Sequence, residues 1–131
     1  MTSSLQARVW ESIRAIDGAD EGSSIFADDD AEPALWVDGT QVAHFFADDV
    51  LDVRLTKRRI SIDRDRLRAD PRVTLRKNAS DWLKVAFSHA ADVAFVHELV
   101  AAAVDEHRPS NGARSRPPPA GPELARRKRF H

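Results

Sequence analysis

The chain contains no cysteine among its 131 residues, which excludes disulfide bonds, thiolate metal sites and a cysteine nucleophile. No apolar run approaches the roughly 20 residues that a membrane-spanning helix needs. The N-terminal segment MTSSLQARVWESI has an acidic residue and polar interruptions where a signal peptide carries a continuous apolar stretch. These absences lead us to expect a protein without a membrane partner that stays in the reducing cytoplasm.

Positive charge is missing from a long segment in the first half of the chain. No Lys or Arg occurs from Ala15 to Val53, although that segment holds eleven Asp or Glu. Arg54 to Lys84 then carries eleven basic residues against four acidic ones, and the residues after His107 carry seven against Glu123 alone. Such separation can steer a polyanion, serve self-association, or form the solvated exterior of a small domain.

Length and composition indicate one domain followed by a tail. With 42% hydrophobic and 31% charged residues, the chain has the balance of a globular protein and is too short for two ordinary domains. We predict a single domain over 1–107. Residues 108–131 are rich in Pro, Gly, Ser and Arg, and they offer little apolar surface to offset the entropy cost of ordering, so we predict a disordered basic tail.

Apolar residues at helical spacing predict two main helices. The first covers Thr2 to Ile16 and begins with a capping box at Ser3. The second covers Ala90 to His107, with Ser88 as its N-cap and an acidic residue in its first turn. A shorter helix is predicted at 63–69, before a proline.

Strand signals are clearest in LWVDGTQVAHFFADDVLDVRL, from Leu35 to Leu55, where apolar and polar residues alternate around tight turns at Asp38-Gly39 and Asp48-Asp49. Further strands are predicted at 24–27, 73–76 and 82–87. These elements predict an α+β fold, in which a five- or six-stranded antiparallel meander is packed on one face by the N-terminal and C-terminal helices.

Pairing across the two turns predicts which side chains share the buried face, because a strand turns alternate residues to opposite sides. In this register His44 lies opposite Val53. The predicted buried set is Leu35, Val37, Val42, His44, Phe46, Leu51, Val53, Leu55, Val73, Leu75, Leu83, Val85 and Phe87. We therefore interpret His44 as a neutral core histidine. It has no second ligand at metal-binding spacing, so we expect no metal and no cofactor.

The opposite face of the predicted sheet mixes aromatic rings with cations. The candidate ligand-binding residues there are Trp36, Phe45, Arg54, Arg76, Trp82 and Lys84. Aromatic rings on a sheet can stack on planar ligands while Arg and Lys contact phosphate or carboxylate. The alternative is that residues 63–71 cover the aromatic rings, or that the rings pair across strands under the cations.

Three segments resemble the luciferase-domain family of small bacterial and fungal proteins: VAHFF at Val42–Phe46, LDVRLT at Leu51–Thr56, and DWLKVAF at Asp81–Phe87. The resemblance runs from about residue 35 to residue 108. Members have a G-H-x-H strand, an acidic residue in the next strand, a Gly-Trp or Asp-Trp strand and a closing helix. A more distant resemblance is to YjbR-type proteins of frataxin-like α+β fold, for which DNA binding has been proposed.

The resemblance to the luciferase-domain family implies His44, Asp52 and Trp82 as candidate catalytic residues, since these positions match its pattern. Ala43 stands where the family has glycine, and Phe46 replaces the second histidine, so the paired-histidine site is incomplete. Any chemistry that needs both histidines is put in doubt by this replacement.

Three functions are compatible with the sequence. The first is a non-enzymatic binding or interaction domain for a small planar or anionic ligand, or for a protein partner. The second is a luciferase-like oxidoreductase that relies on the matched histidine, aspartate and tryptophan. The third is nucleic-acid binding through the open sheet face and the basic residues Arg126 to Arg129.

Overall fold

The computed structural model describes residues 4–26, 32–109 and 115–130. In chain order its elements are α1 Ser4–Arg14, β1 Asp20–Ser23, β2 Pro33–Val37, β3 Thr40–Ala47, β4 Val50–Arg54, α2 Lys57–Ile62, α3 Arg64–Ala69, β5 Val73–Leu75, β6 Trp82–Ala86, α4 Asp92–His107 and α5 Gly121–Phe130. The strands form one antiparallel sheet in the order β1-β2-β3-β4-β6-β5, which confirms the α+β class. None of the described helices is long and apolar enough to cross a membrane.

One face of the sheet is covered by α1 and α4, which pack on each other, while α4 also contacts β3 and β4. Val9 and Ile13 of α1 and Val96, Val100 and Val104 of α4 are fully buried in the core that these helices form with the sheet. Burying an aliphatic side chain of this kind is worth about 1.5–3 kcal/mol relative to leaving it exposed. The sheet face opposite these two helices is called the open face below.

The hairpin at Asp38-Gly39 forms as predicted. The φ angles of Asp38 and Gly39 are 50° and 76°, so both central residues adopt the left-handed conformation of a type I′ turn. Val37 lies opposite Thr40 across this turn, as expected. Asp48 and Asp49 likewise form a two-residue connection between β3 and β4.

The register predicted for β3 is wrong because the strand contains two bulges. Leu35 lies opposite Ala43 while Trp36 lies opposite Gln41, which leaves Val42 as an extra residue. Phe46 is extra in the same way, between the residues that pair with Leu51 and Val50. Each bulge shifts the alternation of side chains by one residue, so it changes the face that the following residues occupy.

Because of the bulges, the predicted positions of three side chains are wrong. His44 lies opposite Asp52 rather than Val53 and faces the open side of the sheet. Phe46 is 61% exposed instead of buried. Phe45 was expected on the open face, but its ring packs against Trp10 and Phe87 in the helix-covered layer.

The N-terminus of α4 is capped differently from the prediction. The helix begins at Asp92, and Ser88 is not its N-cap. Instead, the Asp92 carboxylate accepts hydrogen bonds from the backbone N–H groups of Ser88 and His89 and from Arg72. An acidic side chain in this place satisfies free N–H groups and favours the positive end of the helix dipole.

One predicted strand is shifted, and two helices, α2 and α5, were not predicted. The first strand covers Asp20–Ser23 rather than the predicted 24–27. The prediction followed the apolar residues, whereas the strand is formed by the residues that pair with β2. The helix at 63–69 is confirmed as α3. The predicted capping box at Ser3 lies outside the described residues.

The C-terminal segment folds back onto the open face, so the predicted disorder is not confirmed for residues 115–130. Arg127 donates a hydrogen bond of 2.7 Å to the carbonyl of Gly39, and its guanidinium lies 5.9 Å from the Trp36 ring. Leu124 is only 6% exposed. Gly22 is required beneath this segment, because a Cβ there would lie 2.8 Å from Trp36 Cδ1 and 2.9 Å from Pro118 Cβ.

Candidate ligand-binding site

Three polar side chains form a row across adjacent strands on the open face. His44 of β3 pairs with Asp52 of β4, which in turn pairs with Lys84 of β6. His44 Nε2 lies 3.2 Å from Asp52 Oδ2, and Lys84 Nζ lies 3.0 Å from Asp52 Oδ1. The carboxylate therefore holds both neighbours, one with each oxygen.

Asp52 is a buried anion, since its side chain is only 7% exposed. Burial acts to raise the pKa of Asp52, but the contacts with His44 and Lys84 outweigh it and hold the pKa below its ordinary value. The carboxylate is therefore ionised at neutral pH. In this state it orients the imidazole and keeps the ammonium group fixed against the sheet.

Aromatic rings surround this row. The His44 ring lies 4.9 Å from the Phe26 ring and 5.7 Å from the Trp82 ring, and Phe26 meets Trp82 edge to face at 5.6 Å. On the other side, Lys84 Nζ lies 4.2 Å from the centre of the Phe46 ring. Distances of this size are typical of favourable aromatic and cation–π contacts.

A small polar network positions Phe26 over the sheet. The buried Gln41 side chain accepts a hydrogen bond of 2.8 Å from the backbone N–H of Ile25 and donates one of 3.1 Å to Ser24 Oγ. Ser24 Oγ also accepts from the backbone N–H of Phe26. The turn at Ile25-Phe26 is therefore anchored to β3, and the ring of Phe26 forms one wall of the site.

These side chains enclose a cavity of about 720 Å³, called the aromatic cavity below. Its lining consists of Ser24, Phe26, Glu32, His44, Phe45, Phe46, Asp52, Arg76, Trp82 and Lys84. Sites that bind small organic molecules in proteins have volumes of roughly 300–1,000 Å³, with mostly apolar walls and a few polar groups. The aromatic cavity matches that description in both size and chemistry.

Four of the six predicted ligand-binding residues line the cavity, namely Phe45, Arg76, Trp82 and Lys84. The candidate residues taken from the family resemblance, His44, Asp52 and Trp82, also meet there, although the predicted buried position of His44 was wrong.

Trp36, Phe45 and Arg54 occupy different environments. Trp36 is on the open face but is 1% exposed, because residues 115–130 cover it, not the predicted segment 63–71. Phe45 contributes to the cavity lining, but its ring packs on the opposite side. Arg54 pairs with Asp81 at 3.3 Å and lies 6.0 Å from the Trp82 ring, behind the cavity wall.

Phe26, Phe46 and Glu32 line the cavity but were not among the predicted site residues. Phe46 could be assigned to this face only with knowledge of the bulges. One signal was available, since both bulges occur where two apolar residues are adjacent, Val42-Ala43 and Phe45-Phe46. Adjacent apolar residues interrupt strict alternation and are compatible with a shift in register.

The described residues contain no group of three His, Asp or Glu side chains that could hold a metal ion. At the cavity, His44 and Asp52 supply two ligands, fewer than the three protein ligands of a catalytic zinc site. The arrangement instead provides an oriented imidazole, a fixed ammonium group and aromatic walls.

Comparison with known proteins found no family model that matches the chain, and no similar protein among curated sequences or solved structures.

Proposed function

We propose that this protein is a small-molecule-binding domain whose aromatic cavity accepts a planar organic anion. The observation that carries this proposal is the meeting of Phe26, Phe46 and Trp82 with Arg76 and Lys84 around one cavity of about 720 Å³. Rings supply apolar contact area and stacking surfaces, while the cations supply an attraction for negative charge.

The charges around the cavity favour an anion near Arg76. The charge of Asp52 is compensated locally by Lys84 and the contact with His44. Arg76 is exposed and has no carboxylate partner among the described residues. Glu32 is the opposing charge at the rim, so Glu32→Gln should tighten the binding of an anion.

A matched pair of fluorescent probes tests this proposal. 8-Anilinonaphthalene-1-sulfonate carries a planar naphthalene ring and an anionic sulfonate, and N-phenyl-1-naphthylamine has the same ring system without the sulfonate. We expect the anionic probe to bind more tightly than the neutral one. Trp82→Ala should weaken both probes, because it removes a wall, whereas Lys84→Met should weaken only the anionic probe, by about tenfold.

The control is Lys128→Met, which removes a lysine of α5 that does not line the cavity. Urea unfolding of each variant verifies that it is folded. Equal binding of the two probes, or binding that is unchanged in both cavity variants, would refute the proposed site.

A second candidate function is an enzyme of the luciferase type, as the family resemblance suggests. The observation that favours it is the meeting of the three matched positions, with His44 held by Asp52 and 5.7 Å from Trp82. A carboxylate that orients an imidazole is a common arrangement for general acid–base catalysis. Dioxygen uptake with planar phenols, lost in His44→Gln, would support an oxidoreductase, and no uptake above that of the variant would refute it.

A cytoplasmic location is part of the same proposal. The cysteine-free chain is suited to a reducing compartment, where disulfides do not contribute to stability. Cell fractionation with an antibody against the protein tests this location, and recovery outside the cytoplasmic fraction would contradict it.

A further inference from the structure

A second charged surface lies beside the aromatic cavity. Two hollows, of about 60 and 510 Å³, are lined in part by Arg64, Arg76 and Lys77, with Lys57 in the first and Arg68 in the second. We call the surface formed by these five side chains the cationic groove. It is built by α2, α3 and the connection between β5 and β6.

The cations of the groove differ from their neighbours in lacking counter-charges. Within the described part of the chain, the side chains of Lys57, Arg64, Arg68, Arg76 and Lys77 form no salt bridge and no hydrogen bond, although the backbone N–H of Lys57 donates to the carboxylate of Asp81 at 2.9 Å. By contrast, Arg58, Arg59, Arg66 and Arg72 in the same stretch each pair with a carboxylate. Positive charges that lie together without carboxylate partners repel one another and attract anions.

The groove and the aromatic cavity adjoin each other and share two lining residues. Arg76 lines the cavity and both hollows of the groove, and Trp82 lines the cavity and the smaller hollow. A ligand seated against Trp82 can therefore extend past Arg76 toward Arg64 and Lys77 without leaving the protein surface.

We propose that the planar anion is a nucleotide, with its base in the aromatic cavity and its phosphates in the cationic groove. This inference rests on the proposed function of the cavity. Stacking on Trp82 and Phe26 suits any base, because every base has a π-face. Arginine forks match the geometry of phosphate oxygens, and several cations in a row fit a chain of phosphates better than a single carboxylate.

A free nucleotide fits this surface better than a nucleic-acid strand does. The groove is built at the β5–β6 edge of the sheet, whereas Glu32, which directly precedes β2, lines the cavity toward the other edge. A long strand that left the cavity toward that edge would meet the carboxylate of Glu32, which repels phosphates. A short phosphate chain directed into the groove avoids it.

Isothermal titration calorimetry with ATP, AMP and adenosine in metal-free buffer tests the inference. We expect ATP to bind at least about tenfold more tightly than AMP, because its additional phosphates reach cations that AMP does not. Adenosine should bind most weakly, and the affinity for ATP should fall as salt rises, since the groove is exposed to solvent.

The double variant Arg64→Gln/Lys77→Gln should weaken ATP by about tenfold and leave adenosine unchanged. Arg66→Gln is the matched control, because Arg66 lies on the same helix as Arg64 but pairs with Glu98. That variant should bind ATP like the unmodified protein.

Equal affinities for ATP and AMP, or no effect of Arg64→Gln/Lys77→Gln, would overturn the nucleotide inference. Tighter binding of a ten-residue oligothymidylate than of ATP would overturn it in favour of a nucleic-acid strand. Neither outcome refutes the proposed function, because the two naphthalene probes and their response to Trp82→Ala and Lys84→Met test that function separately.

Discussion

Replacing Asp52 and Lys84 singly and together measures the strength of the polar row at the base of the cavity. The Asp52 side chain is 7% exposed and that of Lys84 is 29% exposed, with 3.0 Å between Nζ and Oδ1. At an effective dielectric constant of about 20, their attraction is about 5 kcal/mol before desolvation is counted. Desolvation of Asp52 cancels much of it, and we expect a coupling free energy of about 2 kcal/mol.

The variants are Asp52→Asn, Lys84→Met and the double variant. Asp52→Asn should be the most costly single change, at about 3 kcal/mol, because it leaves the Lys84 ammonium group without its partner. Lys84→Met should cost about 2 kcal/mol, since Asp52 retains its contact with His44. The free energies of unfolding come from urea titrations, and the cycle gives the coupling.

The same variants have a pH dependence whose sign follows from the pKa of Asp52. Because the folded protein holds this pKa below the ordinary value of 3.8, the stabilisation is complete above that pH and is lost as the pH falls below it. Asp52→Asn should therefore lose less stability than the unmodified protein in that acid range. A coupling below about 0.5 kcal/mol, or the same acid dependence in both proteins, would refute this description of the row.

Four further substitutions test three other parts of the structure by urea unfolding. Phe45→Ala should cost about 2 kcal/mol and Phe46→Ala less than about 0.5 kcal/mol, because the bulges bury the first ring and expose the second. A larger loss of stability in Phe46→Ala than in Phe45→Ala would contradict the two bulges. Leu124→Ala should cost about 1–2 kcal/mol if α5 packs on the sheet, whereas no change would indicate that α5 contributes nothing. Asp92→Asn should cost about 1–2 kcal/mol at neutral pH and little in acid, because backbone N–H groups and an arginine lower the pKa of Asp92 against the effect of burial. Asp105→Asn, at an exposed position of the same helix, is the control, and an equal loss of stability in the two variants would contradict the capping role of Asp92.

Local signals in the sequence were sufficient for most of the architecture. Asp38-Gly39 specified a type I′ turn through residues that tolerate positive φ, and the apolar spacing of residues 92–107 specified the helix that covers the sheet. Both features depend on neighbours in sequence, so they can be predicted without knowledge of tertiary contacts.

The site could be predicted only in part, because its geometry depends on the register of β3. Trp82 and Lys84 lie on a regular strand, and simple alternation placed them correctly. His44 follows the bulge at Val42, and Phe46 is itself the extra residue of the second bulge. Because each bulge shifts the alternation of side chains by one residue, both lie on the face opposite to the predicted one. A bulge is decided by how two strands pack with the rest of the sheet, and this information is not local.

The tail illustrates a different difficulty. Its composition, rich in proline and arginine, is typical of disorder when it is considered alone. Residues 115–130 instead contact a part of the chain far away in sequence, since Arg127 contacts Gly39 and Trp36, and Leu124 is buried. The composition of a segment does not show whether another part of the same chain offers a surface on which that segment can pack.

The most direct test of the aromatic cavity uses the three tryptophans as separate reporters in a ¹H–¹⁵N NMR titration. Trp82 lines the cavity, Trp10 packs against Phe45 on the helix-covered side, and the indole N–H of Trp36 donates to the carbonyl of Ser23 beneath the C-terminal segment. Titration with 8-anilinonaphthalene-1-sulfonate should move the indole signal of Trp82 and leave those of Trp10 and Trp36 in place. An unmoved Trp82 signal at saturating probe, or a shift confined to Trp10 or Trp36, would contradict the proposal that the open face binds a planar anion.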